Sequence, residues 1–402
     1  MSWAISLLAL IAAHIPTAVY CCQGYANDTV PPQAAAPYVS WATTSKEGAA
    51  ADRAAGIEHT VQYLDASRVY VGDHAYSLVN GGPYAGARAL TCAGQVVQTT
   101  SPAGYLIDPF KPETARLLEE ELNYAYDPSY TAYFMDDVDA FRWGIANGTP
   151  CAGNTPWTEP ATAQAYAALL GRLQITGAAG AITPRIIING LSEYADKPGA
   201  HVVPLYALAA RNVIGGMCEG CFADNSPNAL KSGAEWQDDL DLEIRTVRMH
   251  KIFWDYVRYG PNDAHARLYT FASFMLAWNP DYTIYQTAYK TDSPGQLHVT
   301  PETGLVAHDP TRRPSNAREL QDPDGTFVRE YKSCYYRREP IGPCAFVVNS
   351  DAVPHRRPRL EHEFGHTVEV HGGMVLEGGT ISLRGPKVPD EIPPQTGQVL
   401  TR

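Results

Sequence analysis

An α/β fold, a (β/α)8 TIM barrel carrying a small C-terminal antiparallel β domain, is what this sequence predicts. Three observations lead there. Eight strand-like segments, mostly separated by helix-like ones, fill about 250 residues, the size and rhythm of such a barrel. Several of these strands are continuous apolar runs, as expected where helices cover both faces of a parallel sheet, and they end in carboxylates. Beyond about residue 293 apolar and polar residues alternate between Gly and Pro, the pattern of antiparallel strands. An open doubly wound sheet is the alternative. No G-x-G-x-x-G or G-x-x-x-x-G-K-[ST] follows any strand, which removes the usual nucleotide reason for that fold.

The elements follow in order. Trp3–Ala13 is apolar but too short to span a bilayer, and small residues follow it. An export signal within residues 1–26 is expected, with its cleavage site unplaced. A membrane anchor competes, although the segment has no basic flank. The barrel is expected over residues 37–292, opening with strands at Tyr38–Thr43, Thr60–Asp65 and Tyr105–Asp108. A long Gly- and Pro-bearing excursion separates the last two. Pro112 then starts a helix whose Leu117, Leu118 and Leu122 line one face.

That helix delivers the chain to Thr131–Asp139, where Tyr133, Phe134 and Met135 break into Asp136, Asp137 and Asp139. Later strands are expected at Pro184–Gly190, Val213–Glu219, Lys251–Tyr256 and Tyr282–Gln286. Helices are expected near Ala161–Ile175, Leu205–Arg211, Trp236–Met249 and Ala264–Ala277. The β domain should occupy residues 293–385, and a Pro-rich tail, extended or disordered, residues 386–402.

Composition narrows the partners. Lys and Arg total 31 against 43 Asp and Glu, a net charge of −12 with no basic cluster, so nucleic acid is not an expected partner. The 24 Tyr and 7 Trp against 10 Phe favour half-wet aromatic surfaces such as sugar platforms. Eight cysteines, six of them beyond Cys22, suit an oxidising compartment and a secreted, periplasmic or cell-surface location. Cys334 and Cys344 flank a hairpin-like stretch and are the pair expected to bond. Cys218 and Cys221 form a lone C-x-x-C, better read as a local disulfide or packed thiols than as half a zinc site.

Acids at strand ends set the expected chemistry, because carboxylates are costly to bury without work or partners. In barrels the C-terminal strand ends hold the active site. Asp136 and Glu219, two strands apart, are the expected catalytic pair for glycoside hydrolysis, one carboxyl protonating the leaving oxygen and one acting as nucleophile or base. Asp137 is the substitute if the register slips by one residue. Trp41, Tyr63, Asp65, Asp139, Asn189, Trp254, Asp255 and Gln286 are expected to bind the sugar. No cofactor and no metal are expected, the partner being a carbohydrate, with no stable membrane insertion once the signal is removed.

Four stretches carry a family resemblance: Tyr-Phe-Met-Asp-Asp-Val, Ile-Ile-Asn-Gly, Met-Cys-Glu-Gly-Cys-Phe, and the closing Asn-Ser-Asp with Leu-Glu-Gly-Gly-Thr-Ile. Across most of residues 37–385 the chain resembles a hypothetical glycosyl hydrolase family, the one numbered fifteen among the hypothetical groups. The resemblance implies a barrel with a C-terminal β domain and a sugar-cleaving ancestry, without a substrate. The acids on strands four and six also look like the arrangement of retaining α-galactosidase-type barrels, which implies Asp136 as nucleophile and Glu219 as acid/base. A Glu inside a C-x-x-C departs from that broader pattern.

Two other classes compete. A barrel that binds sugar without cleaving it would show the same fold. His362-Glu363-Phe364-Gly365-His366 matches H-E-x-x-H, with His371 as a third candidate ligand, the signature of zinc peptidases. That chemistry needs a helix, whereas Pro358 before the motif, Gly365 within it and alternation after it argue against one.

Overall fold

The computed structural model describes residues 15–16, 18–19, 31–100, 103–138, 145–177, 180–191, 203–223, 230–258, 263–288 and 298–402. Eight parallel strands form one curled sheet in chain order: β1 (Ala18–Val19), β2 (Trp41–Thr43), β3 (His59–Asp65), β4 (Ala132–Asp136), β5 (Ile186–Asn189), β6 (Val213–Glu219), β7 (Ile252–Arg258) and β8 (Thr283–Ala288). The arrangement is consistent with a (β/α)8 barrel. Between the strands run α1 (Lys46–Ala55), α2 (Pro112–Ala125), α3 (Glu159–Leu170), α4 (Val203–Leu208), α5 (Gly233–Arg248) and α6 (Ala264–Ala277).

Alternation along these strands divides the core in two. Trp41, Val61, Ala132, Phe134, Ile187, Met217, Ile252, Trp254, Tyr256 and Ile284 form an inner cluster within the curl. The intervening Tyr133, Met135, Ile186, Ile188, Phe253, Val257 and Tyr285 belong to the outer core under the helices. Both parities are apolar, which is why these strands read as unbroken hydrophobic runs.

One expected strand leaves the parallel sheet, and one that was not expected joins it. Tyr105–Asp108 is not in the parallel sheet. Ala103–Leu106 pairs antiparallel with Arg68–Tyr70 and Gln98–Thr100 in a small sheet of the excursion that follows β3. A disulfide between Cys92 and Cys151 ties that excursion to the segment after β4. The eighth place is taken by β1, whose Ala18 and Val19 pair with Trp41 and Ala42. The carbonyl of Pro16 accepts the N–H of Tyr285 at 3.0 Å, so the same stretch also meets β8. The region expected to leave with an export signal therefore contains sheet residues at positions 18 and 19.

The C-terminal domain is an antiparallel sheet of β9 (Leu305–Pro310), β10 (Phe327–Tyr336), β11 (Glu339–Asn349), β12 (His366–Thr367) and β13 (Thr396–Thr401), in the order β9-β10-β11-β13-β12. Cys334 and Cys344 are disulfide-bonded across its first hairpin, as expected. The Pro-rich tail is not a tail. Its end, β13, lies inside the sheet with Val399 and Leu400 fully buried.

Helix α6 is buried nearly all round because it lies between the parallel sheet and this domain. The Tyr331 hydroxyl donates to the Met275 carbonyl at 2.7 Å, and the Arg267 guanidinium meets the Glu302 carboxylate at 2.6 Å with both side chains fully buried. Among the described residues no helix is long and apolar enough to cross a membrane.

Candidate active site

Asp65, Asp136, Asn189 and Glu219 are the last residues of four neighbouring strands, β3 to β6. Strand parity points each of them the same way as the inner cluster below: Asp136 follows Phe134, Asn189 follows Ile187, and Glu219 follows Met217. They form the rim of the curl at its C-terminal end, above an apolar floor.

Hydrogen bonds bind this rim into one unit. The Asn189 side-chain amide donates to Asp136 Oδ1 at 2.7 Å and to Glu219 Oε2 at 3.0 Å. Two oxygens sharing one donor nitrogen at 2.7 and 3.0 Å can lie no farther apart than the sum of those distances. The Tyr63 hydroxyl donates to Asp136 Oδ2 at 2.7 Å, and the Asp137 N–H donates to Asp136 Oδ1 at 2.9 Å. Asp136 thus accepts from three donors, which fix its orientation. Burial, followed by the Asp136 charge, pushes the Tyr63 phenol far up, so it stays protonated and keeps donating.

Asp65 completes the rim. Its Oδ1 accepts the N–H groups of Ser67 and Arg68 at 2.9 and 2.8 Å, and its Oδ2 accepts the Tyr70 hydroxyl at 3.0 Å. Burial and then the neighbouring Asp136 raise its carboxyl to about 7, against the pull of those two N–H groups and Arg68. Asp137 turns away. Its backbone is left-handed (φ 53°), and its Oδ2 meets the buried Arg68 Nε at 3.3 Å. The alternative of a one-residue slip is therefore not what the fold adopts: Asp136, not Asp137, shares Asn189 with Glu219.

Of the residues expected to bind sugar, Tyr63, Asp65 and Asn189 meet at this rim. Trp41 does not. It starts β2, is buried, and stacks on His59 at the start of β3 with ring centroids 4.0 Å apart, at the opposite end of the curl. Trp254 is fully buried in the apolar floor, and its indole N–H donates to Gln286 Oε1 at 2.8 Å. Neither Trp254 nor that carbonyl of Gln286 is open to a sugar. Asp255 lies on the opposite parity from Trp254 and Tyr256, so its side chain sits under α5 rather than in the rim. Asp139 lies outside the described residues.

The sequence reading missed Arg68 and Tyr70, which reach the rim only because the excursion folds back over β3. It also passed over Tyr256, which pairs in register with Glu219. An aromatic next to Asp255 at a strand end was the available signal for Tyr256. Nothing in the sequence flagged the other two.

The H-E-x-x-H motif forms no helix. Residues 361–365 are irregular and β12 begins only at His366. His362 Nδ1 lies 2.9 Å from Glu330 Oε2, and His366 Nδ1 lies 3.1 Å from the Gly385 carbonyl. With its two histidines held by different partners, the motif does not present them on one face. Among the described residues one group of three candidate ligand atoms lies close together, and it is Cys218, Cys221 and Asp239.

No family model and no curated protein matches the chain. Solved structures do. The chain is similar to the glycoside hydrolase domain of PelA from Pseudomonas aeruginosa, at 13% identity and TM-score 0.41 over 70% of this chain and 95% of that one. It is similar to Ega3 from Aspergillus fumigatus, solved with galactosamine, at 10% identity and TM-score 0.36 over 69% and 92%. It is also similar to a variant of the family 36 α-galactosidase AgaA from Geobacillus stearothermophilus, solved with raffinose, at 9% identity and TM-score 0.44 over 96% and 55%. Likeness at this level says nothing of substrate or mechanism.

Proposed function

We propose that this protein is a glycoside hydrolase whose (β/α)8 barrel cleaves O-glycosidic bonds of a poly- or oligosaccharide with retention of configuration. One observation carries the reading: a single amide, Asn189, holds oxygens of both Asp136 and Glu219. Carboxyls about 5–5.5 Å apart are the mark of retaining enzymes, whereas inverting enzymes need about 6.5–9.5 Å to admit a water. The shared donor is compatible with the shorter spacing.

In this mechanism Asp136 attacks the anomeric carbon while protonated Glu219 gives its proton to the departing oxygen. A water deprotonated by the same Glu219 carboxylate then breaks the glycosyl–Asp136 ester and restores both groups. Tyr63 and Asn189 hold the Asp136 carboxylate in one orientation, which is where preorganisation lowers the barrier. Asp65, Tyr70 and Tyr256 line the same rim and are proposed to contact sugar hydroxyls. Three disulfides among the described cysteines support an oxidising location outside the cytosol.

A panel of polysaccharides and aryl glycosides tests the proposal, with Asp136→Asn and Glu219→Gln beside the wild type. Each substitution should lower turnover by about 10²–10⁴-fold with little change in melting temperature. Wild-type turnover that both substitutions leave intact would remove the pair. A wild type inert on every glycoside, yet binding them, would favour a sugar-binding barrel without catalysis.

A further inference from the structure

Glu219 sits between the two halves of a disulfide. Cys218 and Cys221, three positions apart, are bonded to each other and completely buried. Alternation sends Cys218 to the outer face of β6, where it joins the outer core, while Glu219 points into the rim. Cys221 then returns to that same outer core.

The turn between them is held at every step. Gly220 takes a left-handed conformation (φ 84°) and donates its N–H to the Tyr256 carbonyl at 2.8 Å. Phe222 is also left-handed (φ 60°), a conformation that side-chain-bearing residues keep only when their surroundings impose it. Its N–H donates to Asp239 Oδ2 at 2.8 Å, and the Lys231 ammonium lies 3.0 Å from that same oxygen. An Asp239 oxygen and the two sulfurs all lie within 4.8 Å of one another. The chain leaving Glu219 is thus pinned from behind by a covalent bond and by a buried ion pair.

A disulfide that only stabilises would be poorly placed here. A separation of 3 residues restricts the unfolded chain far less than the 10 of Cys334–Cys344 or the 59 of Cys92–Cys151. What this bond does restrict is the one residue that must keep its carboxyl against Asn189. We infer that the Cys218–Cys221 disulfide is a positioning device for Glu219, fixing the turn that sets this carboxyl against Asn189 and Asp136. The inference rests on the glycosidase reading above. Because both sulfurs are buried, the clamp is permanent in the folded protein and offers no exposed sulfur to an external thiol.

The test compares Cys218→Ala/Cys221→Ala with Cys334→Ala/Cys344→Ala in the full chain. Removing the clamp should lower kcat by about 10²-fold, the cost of a displacement near 1 Å, with KM little changed and the alkaline limb of the pH profile, set by the general acid Glu219, moved. The second pair should lose more melting temperature and keep kcat. Unchanged kcat and pH profile in the first pair would overturn the inference.

Amide hydrogen exchange supplies a reading independent of turnover. The Gly220 and Phe222 amides should be slow in the wild type and fast in Cys218→Ala/Cys221→Ala. If that variant does not fold, the wild type alone decides, since exchange there at open-loop rates means that nothing pins the turn. A wild type with no glycosidase activity defeats the functional reading, while the exchange data still judge the clamp.

Discussion

Replacing Asp255 with asparagine should make the protein more stable at neutral pH. Asp255 on β7 and Glu243 on α5 are both completely buried, and none of their four carboxyl oxygens has a hydrogen-bond partner among the described residues. Burial lifts both carboxyls well above their ordinary range, with the Asp239 charge next for Asp255 and the Asp255 charge next for Glu243. Lys231 opposes the first shift and Arg329 the second. Both groups therefore keep protons in the folded protein at pH values where the unfolded chain, with reference values of about 3.9 and 4.3, has released them.

Stability is fullest below those unfolded values and is lost as pH rises toward the folded ones. While the folded carboxyl stays protonated and the unfolded one does not, the slope is about 1.4 kcal/mol per pH unit for each such group. With about 2.1 cal/mol/K of unfolding entropy per residue, a chain of 402 residues moves about 2 °C for each such pH unit. Asparagine has nearly the shape of the protonated acid and cannot ionise. In calorimetry across pH, Asp255→Asn should match the wild type near pH 4 and exceed it by a margin that grows as pH rises toward neutrality. A difference that stays constant from pH 4 to pH 8, or a variant less stable at pH 7, would refute the reasoning.

Two further outcomes follow from the same structure. His362→Ala should leave glycoside turnover unchanged, and the purified protein should carry far less than one zinc per chain. Stoichiometric zinc with chelator-sensitive peptide cleavage would contradict this. A chain beginning at Asn27 loses β1 and the Pro16–Tyr285 hydrogen bond, so it should melt lower than one beginning at His14; equal melting temperatures would show that the stretch adds nothing to the sheet.

Much of the architecture was legible in the sequence. Apolar runs ending in acids marked β4 and β6, an Ile run ending in Asn189 marked β5, and the Leu, Ile and Val spacing of α5 and the apolar run of α6 marked those helices, because burial on a sheet and on a helix imposes different periods. Asp136 and Glu219 could be named because an acid at the end of a buried strand is anomalous wherever it occurs. Cys334 and Cys344 could be paired because a hairpin brings nearby residues together.

The tertiary structure alone decided the rest. Asp255 was expected to bind the sugar, since a strand buried on both faces does not reveal which parity faces the interior. Trp41 and Trp254 looked like sugar platforms because aromatic residues fill cores and line sites with the same chemistry. The strand partners of residues 18–19 and of β13 were not legible, because each is reached through a contact distant in sequence, which no local pattern encodes. The partnership of Cys92 with Cys151 across 59 residues, and the reach of Tyr70 to Asp65, depend on how the excursion folds back over β3. Local periodicity records which residues must be buried; only the packed chain determines what they are buried against.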